Sequence, residues 1–322
     1  MDGPRPLRIW AVSDGRAGIE AQALGLAEAV ARRRPALVTA KRIRWKAGLG
    51  RLPWRLIPPS ARTGDPIAPP WPDIWIAAGR ATLPLSTRML GWSGGRTFVV
   101  QTQDPKAPLG AFDLVVPPEH DGLTGDNVFP ILGAPNRLSP EKLAVELARF
   151  SDRLGALPHP RVAVIVGGDS KAHRLPASRA LAMAHEIAAA VRAAGGSILV
   201  SYTRRTPPAA REAMTRALAT LPGIIWDGTG DNPYFAFLAA ADAILVTEDS
   251  TNLATDAAST GKPLFILAME GRSPKFERFH AELGRRGVAR PFAGELSAPP
   301  YTPLAETERA ASELLRRYDG RP

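Results

Sequence analysis

Apolar and polar positions along this chain repeat in an order that predicts parallel sheets with crossover helices. Short apolar runs alternate with longer stretches in which apolar residues recur at helical spacing. The stretch Gly18–Arg34 is predicted to be a helix because its apolar residues share one face: Ile19, Ala23, Leu26 and Val30. Regular alternation of strands and helices is typical of α/β domains. The fold class predicted from the pattern is therefore α/β.

Each half of the chain contains its own set of predicted strands. In the first half the apolar runs are Leu7–Val12, Leu37–Ile43, Ile74–Ala78, Thr97–Gln101 and Leu114–Val116. In the second half they are Val162–Val166, Ser197–Ser201, Gly223–Trp226, Ala243–Val246 and Leu264–Leu267, with helices at about 176–194, 207–220, 232–240, 251–260 and 273–286. Both sets predict doubly wound parallel sheets, in which ligands bind beyond the carboxyl ends of the strands.

A break in the pattern divides the two sets. Ser139 and Pro140 open a predicted helix that runs to about Leu154, and the glycine- and proline-containing stretch 155–160 follows it. With 322 residues the chain is long enough for two domains. The prediction is an N-terminal Rossmann-like domain at 1–155, joined by a C-terminal helix at 302–319, and a second Rossmann-like domain at 160–300. The two domains are expected to face a cleft.

Composition and charge narrow the expected partners. The chain has no cysteine and a formal net charge of +10, which favours anionic partners. Residues 41–62, named here the basic segment, contain no acid and interleave tryptophan and leucine with lysine and arginine, as interfacial anchors do. An anionic membrane surface is therefore a predicted partner. The basic residues are otherwise distributed and no recognition-helix motif is present, so nucleic acid is not expected.

The beginning of the chain and its apolar runs bear on location. The first six residues lack the apolar core of a signal peptide, and no apolar run approaches the length of a membrane span. The expected location is the cytoplasm, with peripheral attachment at the inner face of the membrane.

Polar corners follow the strands of the second half and predict a binding site for a nucleoside diphosphate sugar. A helix starting at Ser250 would present backbone N–H groups and its positive dipole end to a diphosphate. Asp256, two turns further, would reach a ribose hydroxyl, Arg204 and Arg205 would pair with phosphate oxygens, and Tyr234 would stack on a base. The complete predicted set is Gly167, Gly168, Ser170, Arg204, Arg205, Thr206, Asn232, Tyr234, Glu248, Asp249, Ser250, Thr251 and Asp256.

Candidates for a general base lie in the first half. Asp14 follows the first strand, Asp104 follows the fourth, and His120 follows the fifth with Glu119 and Asp121 as its neighbours. The scattered histidines have no metal-ligand spacing, and no Asp-x-Asp pair is present, so no metal is expected. A Walker loop is absent, and no tyrosine has the lysine four residues on that a short-chain epimerase or reductase needs. No cofactor is predicted besides the sugar-nucleotide substrate, expected to be of the UDP type.

Together with several other short stretches of the sequence, these polar loops make the chain resemble the mitochondrial-fission-factor (elongated mitochondria) family of plants and bacteria. The matching pieces run in order along most of the chain: 13–18 with Gln22, 57–60, 77–80, 103–105, 112–116, 118–121, 204–207, 232–234, 249–250 and 261–263. One residue departs from the family pattern, because Asp256 stands where the family usually has glutamate. If that acid holds a ribose, the shorter side chain needs a closer helix or a different contact.

The resemblance implies a fold like the two-domain GT-B glycosyltransferases, close to the enzyme that adds N-acetylglucosamine to a lipid-linked precursor. The first functional hypothesis is metal-independent sugar transfer from a nucleoside diphosphate sugar to an acceptor, lipid-linked in one version, with Asp14 as the base. The alternative is a non-catalytic adaptor at a membrane surface that recruits a dynamin-like protein, the role in which plant members are implicated. The sequence leaves the sugar, the nucleotide base, the acceptor and the stereochemistry open.

Overall fold

The polypeptide forms two compact units in the computed structural model, which describes residues 5–46 and 48–321. One unit comprises the chain up to Arg137 together with the residues from Ala305, and the other comprises Leu138–Leu304. The division therefore falls before the predicted 155. Residues 1–4, part of the stretch used to predict the absence of a signal peptide, lie outside the described residues, as do Ala47 and Pro322. Nothing is described of the Arg51 side chain either.

The first unit contains a six-stranded, mainly parallel sheet. Its strands are β1 (Leu7–Ser13), β2 (Ala36–Trp45), β3 (Arg62–Gly64), β4 (Ile74–Ala78), β5 (Phe98–Thr102) and β6 (Leu114–Val116), with helices α1 (Ala17–Arg33) and α2 (Leu83–Trp92). The strand order is β3-β2-β1-β4-β5-β6. Neighbouring strands pair parallel, except that β3 pairs antiparallel with β2. Because β2 and β4 flank β1, the winding reverses beside β1, as in doubly wound folds.

Both faces of this sheet are covered, which explains why its central strands read as continuous apolar runs. Every residue of β4 and of β5 is buried. On one face, α1 buries a stripe that includes Leu26 and Val30 against the sheet. On the other face, α2 and the loops cover a second cluster around Trp75 and Met89. The apolar pattern of the sequence is thus satisfied by burial on two sides.

The second unit is built on a six-stranded, all-parallel sheet. Its strands are β7 (Arg161–Val166), β8 (His173–Arg174), β9 (Ser197–Tyr202), β10 (Gly223–Ile225), β11 (Ala243–Thr247), β12 (Leu264–Leu267), β13 (Glu270–Gly271) and β14 (Ala289–Pro291). Its helices are α3 (Pro140–Arg149), α4 (Ser151–Leu154), α5 (Ala177–Ala193), α6 (Pro208–Leu218), α7 (Tyr234–Ala240), α8 (Thr251–Ala258) and α9 (Pro274–Arg285). The order of the strands in the main sheet is β10-β9-β7-β11-β12-β14. Strands β8 and β13 form a separate antiparallel pair. Here the winding reverses between β7 and β11.

Local signals explain where several of these elements begin. The Ser139 hydroxyl accepts a hydrogen bond from the Lys142 N–H at 3.2 Å, so α3 starts at Pro140 as the N-cap pattern predicts. The predicted single helix to Leu154 is divided at Phe150 into α3 and α4. The last helix, α10 (Glu306–Asp319), buries Ala310, Ala311 and Leu314 in the same cluster as α1, and so belongs to the first unit.

The prediction of α/β architecture with two doubly wound parallel sheets is confirmed by these topologies. In the described part of the chain, no helix combines the length and apolar character needed to cross a bilayer.

Candidate functional site

The candidate site of the second unit lies at the carboxyl edge of its sheet, where the winding reverses. The loops after β7, β9 and β11 meet there because β7 lies between β9 and β11. Doubly wound sheets bind ligands at such a reversal. The predicted glycines 167 and 168, arginines 204 and 205, and the stretch 248–251 all belong to these three loops.

A buried carboxylate, that of Asp249, ties the three loops together. Its side chain is 0% exposed. One oxygen accepts the Gly168 N–H at 3.0 Å and lies 2.6 Å from Arg205 Nη2, while the other accepts the Thr247 hydroxyl at 2.7 Å. The Thr247 Oγ1 in turn accepts the Gly167 N–H at 2.7 Å. A buried charge is tolerated when it is paired and hydrogen-bonded in this way, so Asp249 acts as a structural centre of the site.

The two glycines are needed for the packing of these loops. A Cβ atom on Gly167 would lie 2.1 Å from an Asp249 carboxylate oxygen, and one on Gly168 would lie 2.0 Å from the backbone oxygen of Arg205. The sequence predicted that these glycines let a ligand approach the backbone. The structure shows that their missing side chains first let the chain approach itself, and their contact with a ligand stays a prediction.

The two adjacent arginines have different surroundings. Arg205 pairs with Asp249 and directs Nη1 towards the carbonyl oxygens of Gly168 and Asp169, at 3.4 and 3.5 Å. Arg204 is exposed, and its side chain has no hydrogen bond or ion pair to the described part of the chain. Arg205 therefore holds the loops in place, whereas the donors of Arg204 point to no partner within the fold.

Thr206 completes the same arrangement. It is buried, and its hydroxyl donates to the carbonyl oxygen of Val166 at 3.1 Å and also contacts that of Gly167. Ser170, the other hydroxyl predicted to bind phosphate, accepts the N–H groups of Ala172 and His173 at 3.2 and 3.0 Å. Both side chains stabilise turns of the β7 and β9 loops.

Helix α8 begins directly after the Glu248–Ser250 corner, and Thr251 is its first residue. The Ser250 hydroxyl accepts the Leu253 N–H at 3.4 Å, which makes Ser250 the N-cap, as predicted. Glu248 is directed away from the helix axis, since its carboxylate accepts the Met269 N–H at 2.5 Å and its carbonyl accepts His280 Nε2 at 2.9 Å. These contacts with the segment between β12 and β13 and with α9 hold the Glu248–Ser250 corner in place. A helix start of this kind attracts anions.

Asp256, further along α8, is held by Tyr234 of α7. The Tyr234 hydroxyl donates to Asp256 Oδ2 at 2.8 Å, and the Asn232 side chain accepts the Tyr234 N–H at 3.0 Å. Burial raises the pKa of Asp256 to about 7, against the opposing effects of the Tyr234 hydrogen bond and the Lys142 charge. Burial and the neighbouring carboxylate raise the pKa of Tyr234 well above its usual value. The sequence did not predict this pair. It also did not predict the effect of Lys142 on the pKa of Asp256, because α3 was assigned to the other domain.

In the first unit, Asp14 follows β1 at the point where the winding reverses. Its carboxylate accepts the Arg16 backbone N–H at 3.1 Å and Nε at 2.7 Å, and its side chain is 18% exposed. The preceding Ser13 is buried and its hydroxyl accepts the Gly15 N–H. A carboxylate has about four lone-pair positions, so these contacts leave acceptor capacity on Asp14.

Asp104 and His120 lie on loops after the neighbouring strands β5 and β6. Asp104 pairs with Lys106, and its hydrogen bond and charge, helped by Asp121, hold the pKa of that lysine above its usual value. His120 is buried, with Nε2 at 3.9 Å from an Asp121 carboxylate oxygen. Gln103 has a φ of 69° and Lys106 a φ of 49°, left-handed values that are uncommon outside glycine and that cluster at functional sites.

Strand order separates Asp14 from the other two predicted base candidates, which follow the adjacent strands β5 and β6. Asp14 follows β1, and β4 lies between β1 and β5, the strand that Asp104 follows. All three lie at the carboxyl edge of the first sheet, and the role of each as base stays a prediction. Over residues 5–46 and 48–321, no group of three or more His, Asp or Glu side chains is arranged to hold a metal ion.

Solved structures with this fold include an epimerase and a glycotransferase. One is a UDP-N-acetylglucosamine 2-epimerase from Neisseria meningitidis bound to UDP-GlcNAc, with a TM-score of 0.52, 11% identity, and coverage of 97% of this chain and 93% of that one. Another is the glycotransferase of kitacinnamycin, with a TM-score of 0.50, 13% identity, and coverage of 98% and 94%. At these identities the likeness shows the fold, which is that of the GT-B glycosyltransferases and epimerases.

Sequence comparison identifies relatives as well. The chain is 31% identical over 277 residues to "Mitochondrial fission protein ELM1" of Arabidopsis thaliana, a match that covers 78% of this chain. The match spans 65% of the length of the Arabidopsis protein. The family model "Mitochondrial fission ELM1" matches residues 17–318, and the chain therefore belongs to the mitochondrial fission ELM1 family.

Proposed function

We propose that the second unit binds a nucleoside diphosphate sugar, expected to be of the UDP type, at the carboxyl edge of its sheet. The observation that carries this proposal is the contrast between Arg205 and Arg204. The loops are held by the ion pair between the buried Asp249 and Arg205, whose side chain is 41% exposed, and the adjacent Arg204 is exposed with its donors unused by the described chain. A fixed loop that presents a guanidinium beside a helix start suits a diphosphate.

The fold supports the same ligand class. The Neisseria epimerase, which shares the fold, has UDP-GlcNAc bound. The chemistry of the site agrees with it, because Arg204 and the start of α8 offer donors to phosphate oxygens and Asp256 offers an acceptor to a sugar hydroxyl. The other predicted contacts, from Gly167, Gly168, Ser170 and Thr206, act in this proposal by shaping the loops.

We further propose that the bound sugar is transferred without a metal ion. An acceptor oxygen forms a bond to the anomeric carbon, the bond from that carbon to the diphosphate oxygen breaks, and the acceptor proton passes to a base. Asp14 is the proposed base, with Asp104 and His120 as the other candidates. The departing diphosphate takes the negative charge, which Arg204 and the dipole of α8 stabilise, and such electrostatic stabilisation is usually the largest catalytic contribution.

The binding test is calorimetry with UDP, GDP, ADP, dTDP and their sugar conjugates, with and without EDTA. The wild-type protein should bind one of these nucleotides and its sugar conjugates selectively, and EDTA should not weaken this binding. Arg204→Ala should weaken it roughly tenfold or more, the effect of one lost charge-assisted contact. The matched control is Arg192→Ala at the end of α5, at the opposite edge of the sheet, where the arginine donates to Thr220. Equal affinity in wild type and Arg204→Ala would contradict the proposed phosphate contact.

Asp14→Asn provides the test of transfer. It should abolish release of the free nucleoside diphosphate in the presence of an acceptor while leaving donor binding unchanged. Conversion of the sugar conjugate to its epimer, without release of the nucleoside diphosphate, would replace transferase by epimerase chemistry.

The alternative function, an adaptor at a membrane surface, is favoured by one surface of the first unit. In the basic segment Leu56 is 65% exposed and Leu52 is 38% exposed. Arg44, Lys46 and Arg55 are exposed beside them in sequence, and Arg55 lies 5.0 Å from the centre of the Trp54 ring. Three such cations would contribute about 3 kcal/mol near an anionic bilayer. We propose an anionic lipid surface as the partner of this segment.

Some apolar residues of the basic segment pack within the first unit and are not available to a bilayer. Ile57 is buried, and Trp45 is partly buried with its indole N–H donating to the Ala81 carbonyl at 3.0 Å. These two side chains therefore belong to the core of the first unit. Among the described side chains of this segment, the exposed Leu52 and Leu56 and the cations of Arg44, Lys46 and Arg55 remain for a bilayer.

Sedimentation with vesicles separates the two functions. Vesicles containing phosphatidylserine should sediment the protein and vesicles of phosphatidylcholine should not, and Arg44→Glu with Arg55→Glu should abolish the effect. Lipid binding together with an absence of nucleotide binding would favour the adaptor, whose protein partner, a dynamin-like protein in the family hypothesis, would then be sought by pull-down. Unchanged sedimentation of the double variant would contradict the lipid contact.

A further inference from the structure

The Tyr234–Asp256 pair has a geometry that bears on how a nucleotide enters the site. The phenol hydroxyl donates to Asp256 Oδ2 at 2.8 Å, and both side chains are partly buried. A hydroxyl donating to this carboxylate is the same chemical contact that a ribose hydroxyl would make. In this structure, a tyrosine of the chain itself therefore occupies that acceptor.

The position of Asp256 on α8 is suited to a ribose. It lies six residues after the N-cap Ser250, which corresponds to about 9 Å along the helix axis. In the proposed function the diphosphate lies at the start of α8. A ribose attached to that diphosphate would then lie along the helix near Asp256, where it meets the Tyr234 hydroxyl.

Neighbouring contacts hold Tyr234 beside this acid. The Asn232 side chain accepts the Tyr234 N–H, which fixes the start of α7. The adjacent Phe235 ring meets the Tyr234 ring edge-on and lies 4.3 Å from Lys142 Nζ. Tyr234 itself is only partly buried, so part of this residue is accessible to solvent.

We propose that Tyr234 closes the ribose subsite and that a nucleotide binds by replacing the Tyr234–Asp256 hydrogen bond with one from a ribose hydroxyl. This inference rests on the proposed nucleotide site. It assigns Tyr234 the role of a competitor for Asp256, which weakens nucleotide binding. The tyrosine also keeps the buried acid hydrogen-bonded when no ligand is present, which avoids the cost of an unpaired buried group. After displacement, the ring is released for the base stacking that the sequence predicted.

Removal of one hydroxyl tests the proposal by the sign of its effect. Tyr234→Phe eliminates the competing donor and should increase the affinity for UDP, GDP or ADP, whichever binds wild type, by roughly tenfold, the worth of one hydrogen bond to a charged group. Pyrophosphate, which has no ribose, should bind with unchanged affinity. The titrations are performed at about pH 8.5, where Asp256 with its pKa of about 7 is ionised.

Two further variants control the comparison. Tyr202→Phe removes a hydroxyl of the same unit that is hydrogen-bonded to Thr215 at 3.1 Å, and should change neither affinity. Asp256→Asn should lower nucleotide affinity but not pyrophosphate affinity, and in this background Tyr234→Phe should have lost its effect, which shows coupling of the two side chains.

The outcomes separate this inference from the proposed function. Wild type that binds none of the nucleotides and no pyrophosphate would overturn both. Nucleotide binding that is unchanged or weakened by Tyr234→Phe would overturn the competition and leave the nucleotide site standing. An increase for nucleotide and pyrophosphate alike would also overturn it, because the effect would then not involve the ribose.

Discussion

Replacing Asp256 by asparagine should change how the stability of the protein depends on pH. The folded environment raises the pKa of this acid from 3.8 to about 7, chiefly through burial. Between these values the folded state binds a proton that the unfolded state has released. Stability from this group is therefore present in full below about pH 4 and is lost as the pH rises towards 7. Asparagine does not titrate and removes this dependence.

The size of the effect follows from the shift. Between pH 5 and pH 8, the wild-type protein should lose roughly 2 to 3 kcal/mol of unfolding free energy relative to Asp256→Asn, because each pH unit of differential protonation is worth about 1.4 kcal/mol. Any pH-independent loss caused by asparagine itself cancels when the two pH values are compared. Only the change in the difference between the two proteins is used.

The free energy of unfolding of both proteins is measured by urea unfolding at several pH values. If more than one unfolding transition is resolved, the transition whose midpoint changes on substitution is analysed. The exposed Asp152, replaced by asparagine in the same unit, is the matched control and should give a nearly constant difference from wild type. A constant difference between wild type and Asp256→Asn from pH 5 to pH 8 would refute the reasoning. Asp256 would then be solvated in the folded protein, and its hydrogen bond with Tyr234 would not be enclosed.

Three further predictions concern packing, capping and a buried cation. Gly168→Ala should destabilise the protein by about 2 kcal/mol or more, since its Cβ would lie 2.0 Å from a backbone oxygen, whereas Gly110→Ala, with nothing within 4 Å, should be nearly neutral in thermal unfolding. Ser139→Ala should cost about 1 kcal/mol in the same assay, because it removes the N-cap of α3. Burial lowers the pKa of Lys262 to about 8, so the unfolded state binds more protons above that pH. The unfolding free energy of wild type should therefore increase between about pH 8 and pH 10 relative to that of Lys262→Met. Curves of unfolding free energy against pH that run parallel for the two proteins would contradict this.

The sequence was sufficient to predict the helices and strands and their order, because the apolar pattern of each element reflects which of its faces are buried. The continuous apolar runs of β4 and β11 predict strands covered on both faces, and both are buried throughout. The N-caps Ser139 and Ser250 were predicted from residue type alone, since a cap is a contact between residues three positions apart. The alternation of these elements was sufficient to predict two doubly wound sheets.

The division of the chain into units was decided by tertiary structure. The glycine- and proline-containing stretch at 155–160 suggested a boundary there, yet the second unit begins at Leu138. Helix α3 belongs to it because Lys142 packs over Phe235 of α7. The apolar pattern of a helix shows that it has a partner and does not show which partner, so the sequence could not assign α3.

The roles of individual polar side chains were also decided by tertiary structure. Residue type made Arg204 and Arg205 equal candidates for phosphate, but only Arg205 reaches the buried Asp249. Asp256 was predicted to reach a ribose hydroxyl, and in the structure it accepts a hydrogen bond from Tyr234 of another helix. Such pairs join residues that are distant in the chain, and strand order and helix packing determine which of them meet. The sequence by itself therefore fixed where polar corners occur, whereas the fold decided which side chains the protein uses to hold those corners together and which it leaves for a ligand.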